Sequence, residues 1–149
     1  EVLYNKNGIL TIMLSVSGTG AYPSVFEKTV VVDLKTGNRV APKDVFINLQ
    51  KLAAKVKTAQ KAEVEKTLKQ IKSDPENKNY EPFDFFDNTN FTVENLTEFA
   101  VDDKGVTFIY DYGFPHVILA LEPEGKYFLD WAQLKPFIKP GGLLARFIR

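Results

Sequence analysis

Apolar and polar residues alternate in two early stretches of the chain, and this period of two predicts β-strands. The first covers residues 9–16 and the second residues 25–34. We expect a loop over residues 17–24, because two glycines and a proline interrupt the pattern. The apolar residues of each strand fall on one face: Leu10, Ile12, Leu14 and Val16 in the first, and Val30, Val32 and Leu34 in the second.

A tight reversal is predicted directly after the second strand, over residues 33–38. Gly37 suits the left-handed position that a type I turn with a bulge requires, because glycine has no Cβ to clash there. Residues 39–41 then form a short return strand, which Pro42 ends.

Residues 49–72 carry the clearest helical period, with Asn48 as the expected N-cap and the Ser73–Pro75 segment as the stop. The stripe is narrow, so we expect the helix to lie on one face of a sheet. Its members recur at helical spacing: Leu49, Leu52, Ala53, Val56, Gln60, Val64, Leu68 and Ile71.

An irregular connection is expected over residues 74–90, where prolines, acidic residues and aromatic rings are mixed. We expect three of its rings to hold it against the body: Phe83, Phe85 and Phe86. A second β region then begins at residues 91–101 and turns back at residues 102–105.

The last third of the chain predicts short elements separated by turns. They are a strand at 106–110, a loop at 112–116, and strands at 117–121 and 127–129. Asp130 and Gln133 fit a capping box, which predicts a short helix at 131–138. Pro140 to Gly142 then break the chain. The element order indicates one α+β domain over residues 1–149, with an antiparallel sheet, one long helix and a short C-terminal helix.

The amino-acid composition excludes some classes of protein but does not indicate a function. The 149 residues include 19 basic and 19 acidic side chains and no cysteine. A net charge of zero disfavours sequence-independent nucleic-acid binding, and no apolar run approaches a membrane span. The chain begins at Glu1 rather than Met, so we expect a processed or trimmed chain. The lack of a leader segment therefore does not favour the cytoplasm.

The sequence contains no strong signal for a catalytic site or a metal site. His116 is the single histidine, so neither a Ser-His-Asp triad nor a histidine-rich metal site is easily built. The paired acids lie in predicted turns or in the acidic connection, where solvated carboxylates are the ordinary outcome. The Gly18–Gly20 segment lacks the Lys-Ser/Thr of a phosphate loop. We therefore expect no catalytic residue, no metal and no cofactor.

Aromatic residues near predicted loops are the best candidates for binding a partner. Tyrosine offers a large contact area at low entropic cost, which suits recognition of a protein or a sugar. The alternative is that most of these rings are core residues at strand ends. The candidate set is Tyr22, Pro23, Tyr110, Tyr112, Phe114 and His116.

Three stretches of the chain together resemble a bacterial domain family of largely unknown function. They lie at residues 18–24, 32–46 and 99–136, and the resemblance spans about residues 9–138. The family is shared by a lysozyme-sensing anti-sigma factor and, as an accessory domain, by a peptidoglycan deacetylase. The chain departs from the family's Gly-Gly-Ala-His-Pro loop, since Thr19 intervenes and Tyr22 replaces the histidine.

The resemblance implies an α+β domain outside the cytoplasm, in the periplasm or at the cell surface. We expect a non-enzymatic recognition domain that binds a protein partner such as lysozyme, with any membrane tether outside this stretch of chain. The alternative is a peptidoglycan- or glycan-binding accessory module, and a hydrolase is a distant third. A protein-binding site should be broad and flat, a glycan site should have an aromatic platform, and an enzyme should enclose an acid or His116 in a pocket.

Overall fold

Two three-stranded antiparallel sheets and one long helix form the fold, in a computed structural model that describes residues 1–20, 22–77, 86–87 and 89–148. The strands of the first sheet are β1 (Val2–Lys6), β2 (Ile9–Thr19) and β3 (Pro23–Asp33). Those of the second are β4 (Phe99–Val101), β5 (Gly105–Ile109) and β6 (Lys126–Asp130). The α-helices are α1 (Pro42–Val45), α2 (Leu49–Ser73) and α3 (Trp131–Leu134). Short 3₁₀ helices cover Pro75–Asn77, Glu94–Thr97, His116–Leu121, Lys135–Phe137 and Leu143–Phe147. The predicted α+β class is confirmed, with the strands divided between two sheets.

Strand β1 was not predicted, although its turn carries a recognisable sequence signal. Asn7 and Gly8 join β1 to β2, with φ angles of 55° and 70°. Positive φ at both central residues is the type I′ geometry that fits the twist of a two-residue hairpin, and Asn-Gly is its preferred sequence.

The predicted loop over residues 17–24 is wrong, because β2 and β3 stay paired almost to their connection. The register continues through Ser17 opposite Val25 to Thr19 opposite Pro23. Cross-strand hydrogen bonds therefore outweigh the low strand preference of Gly18, and the reversal shrinks to the residues around Tyr22.

The inner face of the first sheet packs on the core, and it is the face opposite to the predicted apolar stripes. Ile9, Thr11 and Val31 are buried there, whereas Leu14 is 52% exposed. The Thr11 hydroxyl donates to the Val101 carbonyl at 3.0 Å and accepts from the Val101 amide at 3.3 Å. A buried threonine thus joins the two sheets, and the stripe containing Leu14 lies on the solvent side.

The predicted reversal after β3 is confirmed. Gly37 has a φ of 74°, and its amide donates to the Asp33 carbonyl at 2.8 Å. The return strand is reduced to a single bridge between Val32 and Arg39.

Helix α2 confirms the predicted boundaries and the predicted stripe. Leu52, Ala53 and Val56 enter the main core, while Val64 and Leu68 pack on a second, smaller cluster. The expected capping by the Asn48 side chain is wrong. Asn48 adopts the left-handed conformation, with φ 53°, and makes no side-chain cap.

The second cluster lies at the C-terminal end of α2, where Ile71, Phe86, Phe114 and Ile118 are buried together. Phe86 therefore packs as expected, whereas Phe83 and Phe85 lie outside the described residues. The predicted strand at 117–121 is wrong, because this segment is a 3₁₀ helix. The Ile118 amide donates to the Pro115 carbonyl at 3.0 Å, and Ile118 and Leu121 are spaced to face the cluster together.

The second sheet follows the predicted pattern more closely. Strand β4 is shorter than the predicted β region, since residues 94–97 form a 3₁₀ helix. The turn at 102–105 is held by Asp102, whose carboxylate accepts from the amides of Lys104 and Gly105 at 2.6 and 2.9 Å. The capping box of α3 is confirmed, with Asp130 accepting from the Gln133 amide at 2.7 Å.

The C-terminal tail returns to the core after the predicted break at 140–142. Leu144 is fully buried, and the Phe147 ring stacks on Trp131 with centroids 4.3 Å apart. Phe147 also contacts the Tyr4 ring, so the tail covers the junction between β1 and α3.

Candidate functional site

Two of the predicted binding residues meet at the surface, although they are far apart in sequence. The rings of Tyr22 and His116 stack with centroids 4.8 Å apart and an interplanar angle of 17°. Tyr22 lies in the connection between β2 and β3, and His116 begins the 3₁₀ helix after Pro115. The tip of the β2–β3 hairpin therefore touches a loop of the second half of the chain.

Exposed apolar residues follow both members of this stacked pair in the chain. Pro23 and Val25 are exposed and lie on the inner-face side of β3, because they pair with Thr19 and Ser17. Tyr22 is 64% exposed and Val117, next to His116, is 87% exposed. We call this set the arm-tip surface, and its members are Tyr22, Pro23, Val25, His116 and Val117.

The other three predicted binding residues are built into the body of the domain. Phe114 is buried in the second cluster, edge-on to Phe86 at 5.2 Å. The half-buried Tyr110 ring packs on Phe91 and on Tyr112, with centroids 6.0 and 4.9 Å away. These positions favour a packing role over contact with a partner.

Tyr112 takes part in a polar network between α2 and the second sheet. The Tyr127 hydroxyl donates to Glu63 at 2.8 Å, and the Tyr112 hydroxyl donates to the same carboxylate oxygen at 3.2 Å. The two hydroxyls are 2.7 Å apart, and the Gly125 amide donates to the other Glu63 oxygen at 3.3 Å. Glu63 was not predicted as a functional residue. The hydrogen bonds that its carboxylate accepts hold helix α2 against the second sheet.

Burial raises the pKa of both tyrosines in this network. For Tyr127 the removal of water is the largest cause, and the bonds to Tyr112 and Glu63 raise the pKa further. Removal of water is also the largest cause of the raised pKa of Tyr112. Both hydroxyls therefore stay protonated, and their two protons serve the contact between the hydroxyls and the bonds to Glu63.

Gln60 lies one helical turn before Glu63 and is 1% exposed. Its side-chain oxygen accepts from the Phe91 amide at 2.8 Å, and its nitrogen has no hydrogen bond within the described part of the chain. This glutamine ties the start of residues 91–98 to α2, which is a structural task.

A pocket of about 370 Å³ lies beside Glu63, between α2 and residues 120–124. Its polar lining includes Lys66, Glu122 and Glu124, and among the described residues neither an aromatic ring nor His116 lines it. A second pocket of about 290 Å³ lies between the two sheets, and none of its described lining residues is aromatic. The part of each lining that the structure describes includes neither the aromatic platform expected of a glycan site nor the histidine expected of a His-dependent hydrolase.

Metal-ligating side chains do not converge within residues 1–20, 22–77, 86–87 and 89–148, where no three His, Asp or Glu residues could hold an ion. In the same ranges, no helix has the length and apolar character needed to cross a membrane.

Comparison with known proteins adds information on the fold. No family model and no curated protein matches the chain. Among solved structures, the chain is similar to a DUF3298 family protein from Pseudomonas aeruginosa, with 19% identity and a TM-score of 0.51. The match covers 94% of this chain but only 60% of that protein. The shared fold is consistent with the resemblance to an uncharacterised domain family.

Proposed function

We propose that this chain is a non-enzymatic recognition domain that binds a protein partner through the arm-tip surface. The stacking of Tyr22 on His116 carries the proposal, because it builds an exposed aromatic and apolar patch from two distant parts of the chain. Both residues were candidates on sequence grounds.

The chemistry of the patch suits a protein surface. Tyrosine is enriched among residues that dominate binding energy, because it buries a large area and loses few rotamers. Stacking on His116 orders the Tyr22 ring before the partner arrives, which lowers the entropic cost of binding. The patch contains no carboxylate, lysine or arginine, so a partner covering it does not have to desolvate an acidic or strongly basic side chain.

The alternative partner, a cell-wall glycan, is less well supported. Sugar recognition pairs an aromatic face with neighbouring acids or amides in a groove. The acids here line the pocket beside Glu63, whereas the exposed Tyr22 ring lies on the hairpin tip. The acidic residues and the exposed aromatic ring are therefore at different places in the described part of the chain.

An extracytoplasmic location and a lysozyme-like partner are parts of this proposal that rest on the sequence resemblance. The departure at Tyr22 falls inside the arm-tip surface, so a partner recognised through the family's histidine would meet a larger, phenolic ring here. Lysozyme is therefore the first protein to test. Because Tyr22 replaces the family's histidine, this chain could also bind a different protein.

The test is a calorimetric titration of the purified chain against lysozyme and, separately, against soluble muropeptides. Replacing Tyr22 by alanine should weaken protein binding by about 1 kcal/mol or more, which is about fivefold in Kd. The matched control is Phe128→Ala, which removes another exposed ring, 48% accessible, from β6 outside the patch.

Equal losses in the Tyr22 and Phe128 variants would place the site elsewhere. Binding of muropeptides but not of lysozyme would favour the glycan module. A hydrolysis assay on peptidoglycan, peptide and ester substrates runs in parallel, and turnover that disappears in His116→Ala would refute a non-enzymatic function.

A further inference from the structure

The outer side of helix α2 concentrates positive charge in a chain whose formal net charge is zero. The helix contains two acidic residues, Glu63 and Glu65. Glu63 is turned towards the tyrosine hydroxyls of the second sheet, so Glu65 is the acidic residue on the exposed side. Against these two stand seven lysines: Lys51, Lys55, Lys57, Lys61, Lys66, Lys69 and Lys72.

Four of these lysines form one line along the helix. At about 100° per residue, Lys51, Lys55, Lys66 and Lys69 fall within an arc of about 60° and extend over about 27 Å. Lys55 is half-buried and the other three are exposed. We call these four residues the lysine ridge.

The charge of the lysine ridge is not used to hold the fold together. Its four ammonium groups form no ion pair with any residue in the described part of the chain. Lys51 and Lys55 are four residues apart, a spacing at which like charges destabilise a helix slightly. A negatively charged partner would relieve this repulsion.

The residue types of α2 favour a diffuse negative surface over a specific partner. The helix contains neither arginine nor an aromatic residue. Arginine recognises single carboxylates and phosphates with its planar fork, and aromatic rings dominate protein interfaces and stack on bases. Lysine is a flexible point charge and is depleted from protein interfaces, so an all-lysine face suits the summed potential of many anions.

The shape of the lysine ridge fits a plane. An exposed helix is a convex cylinder, which touches a flat surface along its length but crosses another cylinder, such as a nucleic-acid duplex, over a short distance. The exposed residues Thr58 and Ala62 lie between the ends of the ridge and are small enough to permit close approach. The large apolar side chains that are exposed in the described chain all lie outside α2, so the contact involves headgroups without insertion into hydrocarbon.

From these observations we infer that the lysine ridge docks α2 lengthwise on the anionic headgroups of a phospholipid bilayer. Each lysine near such a surface strengthens binding roughly fivefold, which corresponds to about 1 kcal/mol. Screening confines the attraction to about 8 Å at physiological salt, so distant acidic residues of the neutral chain do not cancel it. The inference is independent of the proposed function, because the ridge contains no residue of the arm-tip surface.

Three nearby carboxylates reduce the attraction. Glu65 lies on the exposed side of the same helix, and Glu122 and Glu124 line the pocket that Lys66 also lines. Binding should therefore be strong at low salt and weak at physiological salt.

Co-sedimentation of the purified chain with vesicles tests the inference. The probe is phosphatidylcholine vesicles that contain about one third phosphatidylglycerol, and vesicles of phosphatidylcholine alone are the uncharged reference. The chain should bind the anionic vesicles and not the reference. Raising the salt from about 0.05 to about 0.5 M should release it, because the Debye length shortens.

Replacing the four ridge lysines by glutamine should weaken vesicle binding about a hundredfold or more. Replacing them by arginine keeps the charge and should keep the binding. The matched control has the same net charge as the glutamine variant, because four exposed lysines outside α2 are replaced by glutamine, and it should bind like the parent chain. The control positions are Lys35, Lys104, Lys126 and Lys135.

No binding to anionic vesicles at the lower salt overturns the inference, and so does equal binding to the uncharged reference. Equal losses in the two glutamine variants, or loss of binding in the arginine variant, also contradict it. Tighter binding of free polyphosphate or of a DNA duplex, at equal phosphate concentration, would assign the ridge to a polyanion other than a bilayer. Circular dichroism melts check that each variant folds, and Tyr22→Ala should leave vesicle binding unchanged.

Discussion

At the scale of single residues, the contact between α2 and the second sheet depends on a few polar atoms. Glu63 receives hydrogen bonds from Tyr127, Tyr112 and the Gly125 amide. A hydrogen bond to a charged group typically contributes about 1.5–3 kcal/mol, more than a neutral one. The network therefore stabilises the helix position more than its small number of atoms suggests.

The raised pKa values in this network predict a loss of stability in alkali. A tyrosine whose folded pKa lies above its ordinary value of 10.0 contributes stability that is complete below that pH and lost as pH rises through the folded value. We expect the free energy of unfolding, measured by urea denaturation, to fall between pH 9 and pH 11 by roughly 1 kcal/mol or more.

The double variant Tyr112→Phe/Tyr127→Phe should be less stable at pH 7 and should show a shallower decline in alkali. Tyr110→Phe is the matched control, because the Tyr110 hydroxyl makes no hydrogen bond to any described residue. An unchanged slope in the double variant would show that other groups cause the alkaline loss.

At the scale of secondary-structure elements, α2 connects the two clusters of the domain. Its first half buries Leu52 and Val56 in the main core, and its second half buries Ile71 beside Phe114. Helix propensity alone does not stabilise a segment in water as well as such packing does. The helix should therefore depend on its buried stripe.

Replacing Val56 by aspartate should lower the free energy of unfolding by several kcal/mol, because an unpaired carboxylate would be placed in the core. Ala54→Asp is the matched control, since Ala54 lies on the exposed side of the same helix. The measurement is urea denaturation followed by circular dichroism. Similar midpoints for the two variants would contradict the assignment of this stripe to the core.

At the scale of the whole molecule, the C-terminal tail joins elements that are distant in sequence. Leu144 has no exposed surface, and Phe147 contacts both Trp131 and Tyr4. The tail therefore stabilises β1 and α3 together.

Leu144→Ala should cost about 2–5 kcal/mol of unfolding free energy, the usual range for a leucine removed from a core. Val117→Ala removes an aliphatic side chain at an exposed site and should change the stability by less than about 0.5 kcal/mol. Equal effects in a thermal melt would show that the tail is not part of the cooperative core.

The sequence by itself determined the features with local causes. The left-handed turn follows from the missing Cβ of Gly37, and the capping box follows from the side chains of Asp130 and Gln133 acting on nearby backbone. The helix over 49–72 was readable from the spacing of its apolar stripe, although its stability comes from packing that stripe. The Asn7-Gly8 hairpin belongs to the same class, because its signal was present although β1 was not predicted from it.

Only the tertiary structure decided which face of the first sheet meets the core and which candidate rings meet each other. Alternation fixes that Leu14 and Val16 share a face, but the element packed against the strands determines whether that face is inside. Here Ile9, Thr11 and Val31 pack on the core, with Thr11 bonded to Val101 of β4, and the stripe containing Leu14 and Val16 therefore faces outward. Tertiary packing also decided the segment at 117–121, which is a 3₁₀ helix that buries Ile118 beside Phe114 and does not pair with a strand. Tyr22 meets His116 because the hairpin extends far enough to reach it, which no local pattern encodes.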